Sequence, residues 1–424
     1  MELRTYPAWG EQVARTVLPN GLTVAVVTRP GFCKKLAYFV TDYGSMHTKF
    51  RLEGREVETP AGVAHYLEHK MFDLPRGEVS GEFAALGANP NAFTSYDMTA
   101  YYFSCTEHFE ENLELLLEFV STPYFTDESV EKEQGIIGQE IDMAADSPDS
   151  RIFELLMENM YRAHPIRVPI LGTKESIAKI TPQTLYDCHK AFYAPSNMML
   201  CVVGDVDPEQ VCAIARRVLG DEKRPVPEKE PCPREDMTCP VPQMTVEMEV
   251  AMPMFQLGFK CESAQRGEDT VRQEIIGDLA AEALFGESSE LYLRLYEEGL
   301  IDSSFGGGFE TVTGMCMLTA SGDSDDPEAV RSAILEQAAN LVKQGVPEED
   351  FLRMKRSALG RRIRDLDSFD STCFRLCAYH LDGFDYFRFP DLFAAVTEEE
   401  VRQFIAKVVK PERCSLCIIE PNKD

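Results

Sequence analysis

The sequence predicts an α+β protein built from two similar halves, and three observations carry that expectation. The chain has 424 residues, more than the roughly 250–300 over which one hydrophobic core usually grows, so at least two domains are expected. Each half mixes strand-like apolar runs with amphipathic helical stripes. A stretch of the first half also recurs in the second: residues 180–203 align without a gap on 396–419, an offset of 396 − 180 = 216. That register superposes Thr181 on Thr397, Pro195 on Pro411, Leu200 on Leu416 and Cys201 on Cys417, the mark of an internal duplication. The division expected is a first domain at 1–220, a linker at 221–243 rich in proline and charge, and a homologous second domain at 244–424.

Composition narrows the function classes. Hydrophobic residues at 44% and charged residues at 27% suit a globular chain with a substantial core. The formal charge of −29 argues against nucleic acid as a partner, because a phosphate backbone demands a basic surface. It reads first as solubility and second as attraction of basic peptides. The residues after Met1 lack a basic region followed by an apolar run, and no segment approaches bilayer length, so neither secretion nor a membrane span is expected. Thirteen cysteines, an odd number without framework spacing, favour reduced thiols and a cytoplasmic location.

Taken in order along the chain, residues 22–27 (Leu-Thr-Val-Ala-Val-Val) read as a strand. His65, Glu68 and His69 follow on a predicted helix, at i, i+3 and i+4, so two imidazoles and a carboxylate converge on one side of a turn. A metal ion is the simplest occupant of that point. The order H-x-x-E-H inverts the zincin H-E-x-x-H, yet it still offers two zinc-ligating nitrogens and a glutamate to act on bound water. Ala61 to Ala64 and Lys70 to Phe72 make the rest of the helix apolar, and polar groups set in a buried element need partners. Phe109, Leu113, Leu116, Leu117 and Val120 recur at helical spacing and are read as core. Thr126 and Asp127 can cap a helix over 128–144, which carries Glu133 and Glu140 two turns apart on one face. One of the two would complete a zinc shell while the other braces it. Residues 199–203 read as a strand, and Cys414 and Cys417 lie in its counterpart, pointing to opposite faces as core residues. Cys232 and Cys239 lack the second pair that a zinc ribbon needs.

With H-x-x-E-H at His65 to His69, E-x6-E at Glu133 to Glu140, and a segment running from Asn91-Ala92-Phe93-Thr94-Ser95 through Thr99, Tyr101 and Tyr102, the chain resembles the M16 inverted-zincin peptidases. These are the insulinase, pitrilysin and mitochondrial processing peptidase family, here in its half-size bacterial form. The resemblance spans essentially the whole chain. It implies two α/β rolls, each an antiparallel sheet covered by helices, and Zn2+ held by His65, His69 and Glu140. It also implies Glu68 as general base on a zinc-activated water, Glu133 orienting a ligand, and Asn91, Ala92, Phe93 and Thr94 forming a substrate-binding strand. The second half has lost the metal: with Phe72 set on Phe285, the motif falls on Asp278, Ala281 and Glu282, and with Val130 set on Phe351, Arg361 stands where Glu140 does.

One family feature transfers poorly. Active members polarise the substrate carbonyl with an arginine and a tyrosine from a segment resembling L-R-x-x-x-G-L-x-Y in the second half. Here Arg294, the candidate substrate-binding residue, stands one place too early relative to Gly299-Leu300, and Asp302 takes the tyrosine position. Half-size members pair around a closed chamber, and some pairs divide the two motifs between subunits. The expected function is therefore a zinc endopeptidase subunit cutting peptides or unfolded polypeptides, as a homodimer or as a heterodimer with a related chain. The alternative is a non-catalytic or regulatory subunit that keeps the metal motif without turnover.

Overall fold

In the computed structural model, which describes residues 1–7 and 10–422, the apolar run at 22–27 becomes the strand Thr23–Thr28 of a seven-stranded sheet. The strands lie in the order Glu2–Tyr6, Glu11–Val17, Thr23–Thr28, Met198–Gly204, Lys35–Thr41, Thr99–Cys105, Asn89–Thr94. All neighbours are antiparallel except Met198–Gly204 with Thr23–Thr28. The expected antiparallel sheet thus contains one parallel pair. On one face Val24, Val26, Phe39, Tyr101, Leu200 and Val202 pack with Tyr66 and Leu67 of the helix Val63–Met71 and with Leu113 and Leu116 of the helix Phe109–Ser121. On the other face Ala25, Val27, Tyr38, Met199 and Cys201 are buried as well. Strands covered on both faces read as unbroken apolar runs, which is why period-2 alternation is faint here.

The cover for that second face comes from far along the chain. One unit comprises residues 1–141, 169–231 and 363–381, the other 142–168, 232–362 and 382–424. Helix Phe369–Leu381 packs on strands Met198–Gly204 and Lys35–Thr41, bringing the buried Cys373 and Cys377 onto the first sheet. Conversely, helix Pro148–Met160 packs on strands Cys414–Pro421 and Met254–Cys261 of the other unit. Each sheet thus takes one helix from the other half of the chain. Each sheet has two apolar faces, and its own half supplies helices for one of them.

The second unit repeats the plan in five strands: Gln243–Met248, Cys414–Pro421, Met254–Cys261, Met315–Asp323, Gly306–Val312. Again a single pair, Gln243–Met248 with Cys414–Pro421, is parallel. The duplication is exact in its elements: helices Pro182–Phe192 and Glu398–Val408, 3-10 turns Pro195–Asn197 and Pro411–Arg413, and strands opening at Met198 and Cys414 all keep the offset of 216, as in 398 − 182. Thr181 and Thr397 cap the two helices by accepting from Thr184 N and Glu400 N. The expected linker is pinned. Glu228–Lys229 pairs with strand Lys49–Leu52, Lys229 meets Asp42 at 2.7 Å, and the strand of the second sheet already begins at Gln243. None of the thirteen cysteines is in a disulfide, and among the described residues no helix is long and apolar enough to cross a membrane.

Candidate metal centre

Two helices of the first unit build the site. Val63–Met71 carries H-x-x-E-H, and it begins at Gly62, whose φ of 88° suits a residue without Cβ. The space confirms the choice, since a Cβ there would stand 2.5 Å from Leu171 O. The second helix, Asp127–Asp146, starts on a reciprocal cap: Ser129 N donates to Thr126 Oγ1 at 3.1 Å and Thr126 N to Ser129 Oγ at 3.2 Å. Its buried anchors Val130 and Ile137 lie seven residues apart, and Glu133 and Glu140 follow each by three. The carboxylates therefore share the inward stripe. The Tyr66 hydroxyl donates to Val130 O and ties the two helices together.

The outcome is a cluster of His65, His69 and Glu140, whose ligand atoms all lie within 4.8 Å of one another. His65 Nε2 is 3.6 Å from Glu140 Oε1, and His69 Nε2 is 3.7 Å from Glu140 Oε2. Those separations are too long for hydrogen bonds. They lie at or just above the donor separation of about 3.3–3.6 Å that zinc bonds of about 2.0–2.2 Å would set. His65 is buried and its Nδ1 has no hydrogen-bond partner. Burial, with the neighbouring His69, depresses its pKa to about 3, so the ring is neutral and offers a lone pair as a metal requires. His69 is held differently. Burial works to lower its pKa, but the hydrogen bond with Glu133 and the charges of Glu68, Glu133 and Glu140 outweigh burial and raise it. The donor set therefore fits a zinc ion. His69 Nδ1 donates to Glu133 Oε1 at 3.0 Å, which leaves Nε2 for the cluster.

Glu68 stands beside this cluster without joining it. Its Oε2 accepts from the Thr94 hydroxyl at 2.7 Å. Burial raises its pKa against the opposing effects of Thr94 and His69, with Glu140 adding to the rise, a shift toward the range useful to a general base. The strand expected to hold substrate, Asn89–Thr94, is one of the two edge strands of the seven-stranded sheet. Its residues divide by face. Ala92 packs against the core and Thr94 reaches Glu68, whereas Phe93 lies on the opposite side with Tyr102 at 6.3 Å and Phe374 at 6.0 Å between ring centroids. Asn91 Oδ1 accepts from Ala92 N at 2.8 Å. Thr94, expected to touch substrate, thus spends its hydroxyl on Glu68.

The second unit holds the remaining expected residues. Arg294, on helix Glu290–Glu297, pairs with Glu336 at 3.7 Å in an exposed contact. Asp302 accepts from Ser304 N at 2.8 Å and from its hydroxyl at 2.5 Å, which lowers the Asp302 pKa. At the positions matching the metal ligands, Arg361 donates to Glu282 at 3.0 Å, and Arg362 reaches both Glu274 and Asp278. Sequence reading missed one group near the centre, Lys70, which is buried beside Glu133 and Asp73. Its signal was a cation on an otherwise apolar helix surface, directly after His69.

Comparison with known proteins identifies the family. The family described as Insulinase (Peptidase family M16) matches residues 54–174, and the Peptidase M16 inactive domain matches 179–358. The chain is similar to a Bacillus subtilis protein named as an uncharacterized zinc protease, YmfH, with 36% identity over 97% of this chain and 98% of that one. It is similar to the beta subunit of mitochondrial-processing peptidase from Caenorhabditis elegans, 29% identical over 49% of this chain and 44% of that one. Among solved structures, an M16-like peptidase from Alicyclobacillus acidocaldarius superposes with a TM-score of 0.93 at 32% identity, covering 97% of this chain and 99% of that one.

Proposed function

The chain belongs to peptidase family M16, and on that premise we propose that it is a zinc-dependent endopeptidase subunit acting on peptides or unfolded polypeptide segments. The observation that carries the reading is the convergence of His65, His69 and Glu140 with Glu68 alongside, hydrogen-bonded but outside the ligand set. His65, His69 and Glu140 would hold the ion. When bound, zinc supplies a Lewis acid that makes water a nucleophile near neutral pH. Glu68 takes a proton from the attacking water through the oxygen that Thr94 leaves free, and returns it to the departing amine. Glu133 keeps His69 in one tautomer and orientation. The edge strand Asn89–Thr94 receives the substrate as an added strand, binding main chain and tolerating many sequences.

A second reading rests on Asp302 and Arg294. Asp302 is bonded to Ser304 and Arg294 is paired with Glu336, so neither of these two residues is set as a clamp for a developing oxyanion. A dimer with a related chain that carries such a clamp, or a subunit that binds metal without turnover, would both follow from this. Thirteen free cysteines support a cytoplasmic setting. The deciding measurement is cleavage of an unfolded polypeptide and of the same protein folded, before and after chelation and with zinc restored. Cleavage of the unfolded form that chelation abolishes and zinc restores supports the enzyme. Bound zinc with no cleavage in any state, alone or with a related chain, supports the non-catalytic subunit.

A further inference from the structure

We propose that Lys70 is a positioning residue of the metal centre, a buried cation that fixes the Glu133 carboxylate and, through it, the His69 ring. The proposal rests on the reading of His65, His69 and Glu140 as a metal site. The Lys70 side chain is only 1% exposed, its ammonium donates to Asp73 Oδ2, and it lies 3.9 Å from Glu133 Oε2. The other oxygen of Glu133 is the one that holds His69 Nδ1, at 3.0 Å. One carboxylate thus lies between the ring of residue 69, which is hydrogen-bonded to it, and the ammonium of residue 70, which makes an ion-pair contact with it, while Asp73 takes the lysine's hydrogen bond from outside.

A lysine so deeply buried is costly unless a specific charge arrangement rewards it. The arrangement is present. Glu68, Glu133 and Glu140 all bear on His69, and mutual repulsion would turn the Glu133 carboxylate away from the ring if no cation stood behind it. Lys70 opposes that repulsion from the side away from His69. An apolar side chain of the same length would fill the volume equally well, so packing alone does not call for the charge. The role assigned is alignment: with Glu133 held, His69 Nδ1 stays the protonated nitrogen and Nε2 keeps its aim at the cluster.

The experiment compares the wild type with Lys70→Met, Glu133→Gln and the double variant, each stripped of metal and titrated with zinc against a chromophoric chelator. The visible spectrum of the cobalt(II) form reports coordination geometry, and thermal unfolding of the metal-free forms reports the fold. Lys70→Met should weaken zinc binding by about 10- to 100-fold, the range for outer-shell partners of a metal ligand. It should also alter the cobalt spectrum. Because Lys70 acts through Glu133, the double variant should bind no more weakly than the poorer single one. Zinc affinity within about twofold of wild type, an unchanged cobalt spectrum, or effects that simply multiply in the double variant would overturn the proposal. If Lys70→Met does not fold, Lys70→Gln, neutral but able to donate a hydrogen bond, is judged by the same measurements. Wild-type protein that binds no zinc, or binds it as well after His65→Ala, refutes the metal reading itself. Zinc lost in His65→Ala but unmoved in Lys70→Met refutes only the role of Lys70.

Discussion

Arg361 donates to Glu282 at 3.0 Å, and these two residues hold, in the second unit, the helix positions that Glu140 and His69 hold in the first. One helix pair has kept a carboxylate facing imidazoles, and its duplicate has substituted guanidinium facing carboxylates. Both solutions join the same two helices. The Arg361 contact is half-exposed and contributes little, whereas Arg362, with a side chain 7% exposed against Glu274 and Asp278, is the stronger tie.

Zinc stoichiometry follows from this exchange. Metal analysis should find one zinc per chain, lost in His65→Ala, His69→Ala and Glu140→Ala and retained in Arg361→Ala. Two zincs per chain, or retention in any of the first three variants, contradicts the assignment.

Glu68 and Thr94 should separate binding from turnover. Glu68→Gln is expected to keep zinc while lowering peptide hydrolysis by about 10²–10⁴-fold, the usual contribution of a general base. Thr94→Val leaves the carboxylate but removes the hydroxyl that donates at 2.7 Å, so its loss of rate should be smaller than that of Glu68→Gln. Zinc released from Glu68→Gln would make Glu68 a ligand rather than a base.

Acid should destabilise the first unit through His189. Burial, opposed by the hydrogen bond that Nε2 donates to Val120 O at 3.0 Å and assisted by Arg224, depresses its pKa from 6.5 to about 4. The unfolded chain therefore takes up a proton first. The contribution is intact above pH 6.5 and declines as pH falls toward 4, by about 3 kcal/mol. In denaturant titrations His189→Gln, which can still donate to Val120 O, should lose about that much less stability than wild type across this window. Equal losses in both proteins would show that His189 does not titrate as described.

How far the residues spoke for themselves depended on the range of the interaction. His65, Glu68 and His69 sit within one turn, so the 3.6-residue period sufficed to bring them together. Glu133 and Glu140 also shared a face by periodicity, but which of them would ligate came only from resemblance, and the structure puts Glu133 on His69 and Glu140 in the cluster. The duplication was legible because Pro182–Phe192 and Glu398–Val408 keep both caps and spacing. The exchange of helices Pro148–Met160 and Phe369–Leu381 was not. An amphipathic helix declares that it needs an apolar surface, never whose. The link from Lys70 to Glu133 was hidden for the same reason, since they stand 63 positions apart, as 133 − 70.

The last prediction concerns a partner and turns on Asp302. A carboxylate at that position repels the negative charge that develops on a substrate carbonyl, whereas preorganised donors stabilise it by about 10²–10³ in rate each. Asp302 is held by two hydrogen bonds from Ser304, and its lowered pKa keeps it anionic at neutral pH. Arg294, the one local candidate for a donor, pairs instead with Glu336. The isolated chain should therefore bind zinc normally yet hydrolyse peptides slowly. Mixing it with a related chain that carries an L-R-x-x-x-G-L-x-Y-like segment should raise kcat by about 10²-fold or more, the worth of one such donor, and Arg294→Ala should not diminish that gain. Asp302→Tyr in the isolated chain is the complementary gain-of-function test. Full activity of the chain by itself, abolished by Arg294→Ala, would show instead that Arg294 leaves Glu336 for the substrate and that no second chain is required.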